Sequence, residues 1–254
     1  MTSPHASAPD PTGGLDPADI ELLTPDAARA DHSDPVEPVD WHARVMALAE
    51  RSRPVREEQR RIRTARQQKI DAARRDRAIL ACLDRLDRRF GRYSDAVVEQ
   101  QPIVARWALD TIRGGRSGLV IRGAVGVGKT HVAVAAYRAA VAGGVLPAIA
   151  VAVPALLDGL RPGRETVEDL RACEDARLLL LDDLAAERVT DWTSETLYRL
   201  IDARYSRRLP TLVTTNATGQ QIRDGLGPRV ASRLNGLGQI VTLEGPDRRT
   251  AGVD

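Results

Sequence analysis

The chain has 254 residues, 43% of them hydrophobic and 28% charged, which suits one large folded domain with appended segments and excludes a chain disordered throughout. Aromatic residues make up 3%, with one phenylalanine, so aliphatic and alanine side chains have to fill the core. No apolar run reaches 18 residues, Met1-Thr2-Ser3-Pro4-His5 lacks the basic start and apolar stretch of a signal peptide, and Cys82, Cys173 and the four histidines share no ligand spacing; a cytoplasmic protein without membrane association, structural zinc or a disulfide framework is expected.

The net charge of +2 is unevenly distributed. Residues 1–40 carry one arginine and nine acids. Rich in Pro, Ala and Asp, with little apolar clustering beyond Ile20-Glu21-Leu22-Leu23, they cannot offset their ordering entropy and read as a disordered acidic tail. Residues 41–95 reverse the sign, with sixteen bases and eight acids, and form a basic helical region with a helix predicted on either side of Pro54. Trp41 to Arg51 places Trp41, Val45, Leu48 and Ala49 on one face. Val55 to Phe90 is arginine-rich until Ile79, Leu80, Leu83, Leu86 and Phe90 supply an apolar stripe that anchors its end. Within it, Arg60-Arg61-Ile62-Arg63-Thr64-Ala65-Arg66-Gln67-Gln68-Lys69 is either a solvated face or a surface for nucleic-acid phosphates or a partner's acidic side chains.

Residues 96–254 make the main domain, and from about residue 102 short apolar strands alternate with amphipathic helices. Leu119-Val120-Ile121, Ala148 to Val153, Leu178 to Leu181, Leu212 to Thr215 and Ile240 to Leu243 are candidate strands, apolar on both faces. Helices are predicted over 129–142, 155–161 and 193–208. The alternation predicts an α/β fold with a parallel sheet covered on both sides.

Gly123-Ala124-Val125-Gly126-Val127-Gly128-Lys129-Thr130, followed by His131, matches G-x-x-x-x-G-K-[ST] and stands between a predicted strand and a predicted helix. Its glycines let backbone N–H groups turn inward around an anion. The helix N-terminus adds its dipole, Lys129 reaches β- and γ-phosphates, and the Thr130 hydroxyl is a Mg2+ ligand. Lysine is rare here, Lys69 and Lys129 being the two in the chain, so Lys129 in a demanding place is informative. The strand Leu178 to Leu181 ends in Asp182 and Asp183. Asp182 is the candidate holder of hydrated Mg2+ and Asp183 the candidate group that polarises attacking water. Asn216, one of two asparagines, follows Leu212-Val213-Thr214-Thr215, where it is either a turn residue or an amide that orients water or the γ-phosphate. Arg229 and Arg233 are four apart and project from one face of a short helix, as surface residues or as arginines reaching a neighbouring subunit's γ-phosphate.

In order, GAVGVGKT, LLLLDDLAAE, ETLYRLIDARYSRRLPTLVTTN and GPRVASRL resemble the AAA+ ATPases of the DnaC/IstB-like helicase-loader family over about residues 90–245. The resemblance implies a P-loop NTPase sandwich with a five-stranded parallel sheet in the order 5-1-4-3-2, preceded by a helical extension. It implies Walker A at 123–130, Walker B at Asp182 and Asp183, sensor 1 at Asn216 and an arginine finger at Arg229 or Arg233. ATP and Mg2+ as ligands, a homo-oligomer formed with ATP, and delivery of a replicative helicase to single-stranded DNA are implied by the same likeness. Two other functions share these residues: a transposition helper ATPase partnered by a transposase, and an interaction adaptor switched by ATP with little turnover. The chain departs from the family pattern at Ala185, where many relatives have glycine, and at Asp202, where asparagine is frequent, and no sensor 2 helix carried by Arg248 or Arg249 is expected after residue 245.

Overall fold

The computed structural model describes residues 40–98, 101–161, 170–184 and 190–248. The expected acidic tail, apart from Asp40, lies outside these residues, as do Ala185 and Arg249. The chain divides into two units, one through Asp71 and one from Ala72.

In the first unit α1 (Trp41–Arg51) starts where the Asp40 carboxylate accepts from the Ala43 backbone N–H at 3.0 Å, and ends at Ser52, whose hydroxyl donates to Leu48 O at 2.8 Å. These caps satisfy end groups that a helix leaves unpaired. Of the predicted apolar face, Trp41 and Val45 are 46% and 52% exposed and Leu48 is half-buried. The next helix, α2, runs Arg53–Phe90 and accommodates Pro54 in its first turn, where a missing N–H costs no hydrogen bond. Every side chain from Arg53 to Asp71 is exposed.

In the second unit the end of α2 buries Cys82, Leu86 and Phe90. Ile79 and Leu83 pack beside them, but Leu80 is 66% exposed, because one residue of helix turns it about 100° from Ile79. A 3-10 turn at Gly91–Tyr93 leads towards α3 (Pro102–Ile112). The α/β layers then run β1 (Gly118–Gly123), α4 (Lys129–Ala142), β2 (Ala148–Ala152), α5 (Val153–Gly159), α6 (Leu170–Asp175), β3 (Leu178–Asp182), α7 (Asp191–Arg207), β4 (Thr211–Thr215), α8 (Gly219–Leu226), α9 (Pro228–Leu237) and β5 (Gly238–Leu243). All neighbouring strands are parallel and stand in the order β5-β1-β4-β3-β2, as expected.

Period-2 alternation sorts the strand side chains into two cores. Leu119, Ile121, Leu178, Leu180 and Leu212 face the layer of α3, α4 and the end of α2, whereas Val120, Leu179, Leu181 and Val213 face α5 to α9. Each fully buried leucine contributes about 1.5–3 kcal/mol, and alanines Ala133, Ala136 and Ala140 let α4 sit close to the sheet. At the sheet edge the Cys82 thiol donates to Ala148 O at 3.4 Å and an Arg89 guanidinium N–H donates to Ala150 O at 3.0 Å, so side chains of α2 cover carbonyls of β2.

Arg204 on α7 is completely buried. Its guanidinium donates to Thr211 Oγ1 (2.8 Å), Cys173 O (2.8 Å), Ala176 O (2.7 Å) and Pro210 O (2.7 Å), tying α6 and the entries of β3 and β4 together. Burial draws its pKa down to about 9, so it is still a cation at neutral pH. Both cysteines are free and buried.

Candidate functional site

The carboxyl ends of β1, β4 and β3 lie side by side, and the site is built from the turns that leave them. After β1 the chain turns through Ala124 to Val127. Val127 is 4% exposed and pins the turn into the core, whereas Val125 faces solvent at 58%. Gly126 and Gly128 have φ of +82° and +98°, which side-chain-bearing residues rarely adopt, and a Cβ on Gly126 would stand 1.9 Å from an Asp247 oxygen. Gly128 caps α4, so Lys129, Thr130 and His131 form that helix's first turn, with its backbone N–H groups at the loop.

Lys129 is buried, and its Nζ donates to Ala124 O at 2.7 Å across the loop. The Thr130 hydroxyl donates to Asp182 Oδ2 at 3.3 Å, and Thr214 on β4 donates to Asp182 Oδ1 at 2.7 Å. Burial pushes the Asp182 carboxyl above its ordinary pKa; the two hydroxyl donors and the nearby Lys129 charge oppose that, while Asp183 adds to it. A hydroxyl beside a buried carboxylate is a hard oxygen pair of the kind Mg2+ takes, so the residues present fit that ion. Asp183 is exposed and has φ of +58°, in the left-handed region that aspartate tolerates better than most residues. Its N–H donates to Thr214 Oγ1 at 2.8 Å. Asn216 is exposed at the end of β4, between buried Thr215 and Ala217, and β4 lies between β1 and β3, so the topology sets Asn216 between the loop and the aspartates.

A cleft over the loop is lined by Arg92, Tyr93, Gly126, Gly128, Lys129, Thr130, His131 and Arg248. The Tyr93 and His131 rings meet edge to face at 6.3 Å, and the Arg248 N–H donates to Gly126 O at 3.1 Å. No sequence signal points to Arg92 or Tyr93, and Thr214, although it stands in a stretch that carries the family resemblance, has no site role predicted from sequence. Arg92 and Tyr93 belong to a turn with no motif, and Thr214 reads as an ordinary β-branched strand residue.

Arg229 and Arg233 do not line this cleft. Arg229 is exposed on α9, its guanidinium 5.7 Å from the Tyr198 ring centroid. Arg233 is committed within the chain: it pairs with Asp202 and lies 4.7 Å from the Tyr205 ring centroid. Its hydrogen bond to Asp202 raises the Arg233 pKa. Asp202, the departure from the family's frequent asparagine, thus has a local partner. Among the described residues no cluster of three or more His, Cys, Asp and Glu can hold a metal, and no helix is long and apolar enough to cross a membrane.

No curated protein sequence matches the chain. Among solved structures, the chain is similar to the DnaC helicase loader, with 26% identity, TM-score 0.51, and coverage of 60% of this chain and 99% of that one. It is similar to DnaI, with 28% identity, TM-score 0.50, and coverage of 57% and 81%. A replication initiator DnaA bound to AMPPCP and single-stranded DNA, at 24% identity, TM-score 0.50 and coverage of 60% and 50%, shares the fold. The model of the IstB-like ATP binding protein family matches residues 37–231. With that match, the P-loop and the parallel sheet in place, the chain belongs to the IstB-like ATP-binding family of AAA+ proteins.

Proposed function

We propose that the protein is an ATP-hydrolysing loader that delivers a replicative helicase to single-stranded DNA as an ATP-dependent homo-oligomer. The observation that carries the ATPase part is the Thr130–Asp182–Thr214 relay beside Lys129, which holds a buried carboxylate next to a phosphate-binding turn. The likeness to the DnaC helicase loader, over 99% of that chain, supports the loading part.

In this mechanism Lys129 leaves Ala124 O for the β- and γ-phosphates, and the N–H groups of Gly126 to Thr130 hold their oxygens. Thr130 and Asp182 are the residues to hold Mg2+, which when bound neutralises charge on the β- and γ-oxygens. Asp183 polarises the attacking water and Asn216 orients it. Arg229, free of an ion pair among the described residues, extends toward the γ-phosphate of a neighbouring subunit, while Arg233 serves the α7–α9 contact. ATP binding thus assembles the subunits and hydrolysis releases them.

The family match favours a second reading, a transposition helper ATPase partnered by a transposase. ATP uptake and phosphate release by the purified chain, measured with single-stranded DNA and with the replicative helicase or a transposase from the same cell, test both. Lys129→Ala is expected to lose ATP binding. Asp183→Asn is expected to keep it and lose about 100-fold or more of turnover. Stimulation by the helicase supports the loader, stimulation by a transposase alone supports the helper, and an absence of ATP uptake overturns both.

A further inference from the structure

The first half of α2 has an unusual charge pattern. Residues 59–70 contain Arg60, Arg61, Arg63, Arg66 and Lys69 and no Asp or Glu. Of the acids on either side, Glu57 pairs with Arg53 at 3.3 Å and Asp71 accepts from Gln67 at 3.0 Å, while Glu58 makes no ion pair among the described residues. Among the described residues no carboxylate pairs with the five bases, and all of their side chains are exposed. A helix that merely stands in water is normally laced with opposite charges three and four residues apart, because such pairs stabilise it and like-charged neighbours repel. Here Arg60, Arg63, Arg66 and Lys69 recur at every third position, so each adjacent pair repels. Nothing apolar compensates: Ile62 and Ile70 are 58% and 39% exposed. Such a surface gains most from a regularly spaced polyanion.

The spacing suits the phosphate backbone of a nucleic acid. Side chains three apart on a helix are about 5–6 Å apart at Cβ and rise about 4.5 Å along the axis. The row from Arg60 to Lys69 therefore rises about 13.5 Å along the helix while turning about 180° around it, and over that rise one strand of B-form DNA presents about four phosphates at roughly 3.4 Å each. Thr64 and Gln68 interleave the row with neutral donors of the kind that also contact phosphate oxygens.

We propose that this row of α2 is a nucleic-acid contact of the protein, engaging the phosphate backbone without regard to base sequence. It deepens the loader reading and rests on it for DNA as the polyanion, and it uses none of the residues that line the ATP cleft.

The test uses the full chain, a fluorescent single-stranded oligonucleotide and a duplex of equal length, with affinity tracked from about 50 to 200 mM salt. The variant Arg60→Gln, Arg63→Gln, Arg66→Gln, Lys69→Gln keeps good helix formers at all four positions, and circular dichroism checks that the helix persists. Its affinity is expected to fall tenfold or more at the low-salt end, and the slope of log affinity against log salt to become shallower by about 3, the counterion release of four phosphate contacts. The charge-keeping variant Arg60→Lys, Arg63→Lys, Arg66→Lys is expected to keep the native slope. The arm that binds more tightly, single strand or duplex, names the form of DNA, and either supports the contact. Native affinity and slope in the glutamine variant, equal losses in the lysine variant, or no binding to either oligonucleotide would overturn it. ATP uptake measured on the same samples stays at the native level if the contact is as described, so a failure of the nucleotide reading registers separately.

Discussion

Thr214 and Asp182 lie on neighbouring strands, and the Thr214 hydroxyl donates to Asp182 Oδ1 at 2.7 Å while accepting the Asp183 backbone N–H at 2.8 Å. One side chain therefore fixes both aspartates, the buried one through its oxygen and the exposed one through its backbone. Thr214→Val preserves shape and removes both bonds, leaving a buried carboxylate short of a donor at a cost of about 1–3 kcal/mol. A melting point roughly 2–10 °C lower is expected, together with a loss of turnover that Thr214→Ser restores. A valine variant with native melting and turnover would show that the two bonds are dispensable.

Arg229 and Arg233 separate by their surroundings. Arg233 is paired with Asp202 and stacked on Tyr205, so Arg233→Ala should lower the melting temperature and affect turnover in proportion to folded protein. Arg229→Ala should leave melting and ATP binding at native levels and reduce hydrolysis about 100-fold or more, the scale of an arginine acting on γ-phosphate charge. Mixing Arg229→Ala with Lys129→Ala chains distinguishes action across subunits from action within one: recovered turnover is expected, and its absence counts against a contribution in trans.

The buried cation Arg204 reaches Cys173 O, Ala176 O and Pro210 O, carbonyls that a hydrocarbon in its place leaves without a donor. Arg204→Met is expected to cost about 3 kcal/mol or more, read as a melting point lower by roughly 6 °C or more. A change within about 2 °C, less than about 1 kcal/mol in a chain of this size, would mean that water takes over those acceptors.

On α6 the Arg207 hydrogen bond at 2.7 Å holds the Asp175 carboxyl below its ordinary value of 3.8, with the charges of Arg207 and Arg171 assisting and desolvation opposing. A carboxyl whose folded pKa is depressed stabilises the fold above its unfolded value, and that contribution fades as pH falls through the folded value. Asp175→Asn should therefore melt below the native chain at pH 7, and the difference should close on acidification below 3.8. A difference that stays constant from neutral to acid would assign the effect to packing.

Long or strongly bounded elements are legible in the residues. Leu178 to Leu181 reads as a doubly buried strand, and the ends of α4 are readable because Gly143 and Gly144 stop it. Three helices escape, the eleven-residue α3 among them. The six-residue α6 and the eight-residue α8 have too few turns for a periodic signal, although Thr218 and Gln221, three apart, form a capping box that announces α8. The strand expected over 148–153 loses Val153 to α5, whose first turn takes Pro154. At the site, contiguous motifs carry Lys129, Thr130, Asp182 and Asp183, because a phosphate-binding loop and a strand end are local. Arg92, Tyr93 and Arg248 meet the loop from far along the chain, and only tertiary structure brings them there. Leu80 shows the opposite failure, an apolar residue in an apolar run whose helical phase turns it outward.

The covered edge of the sheet bears on how this protein misassembles. Foreign strands add to a sheet by capturing its free edge carbonyls and amides, and on β2 the carbonyls of Ala148 and Ala150 are already taken by Cys82 and Arg89. The opposite margin, β5, leaves Gly238, Gln239 and Ile240 open to solvent. Fibrillar or swapped species of a partly unfolded chain are therefore expected to zip from the β5 side, and a proline at Gln239 would guard it better than any change on β2.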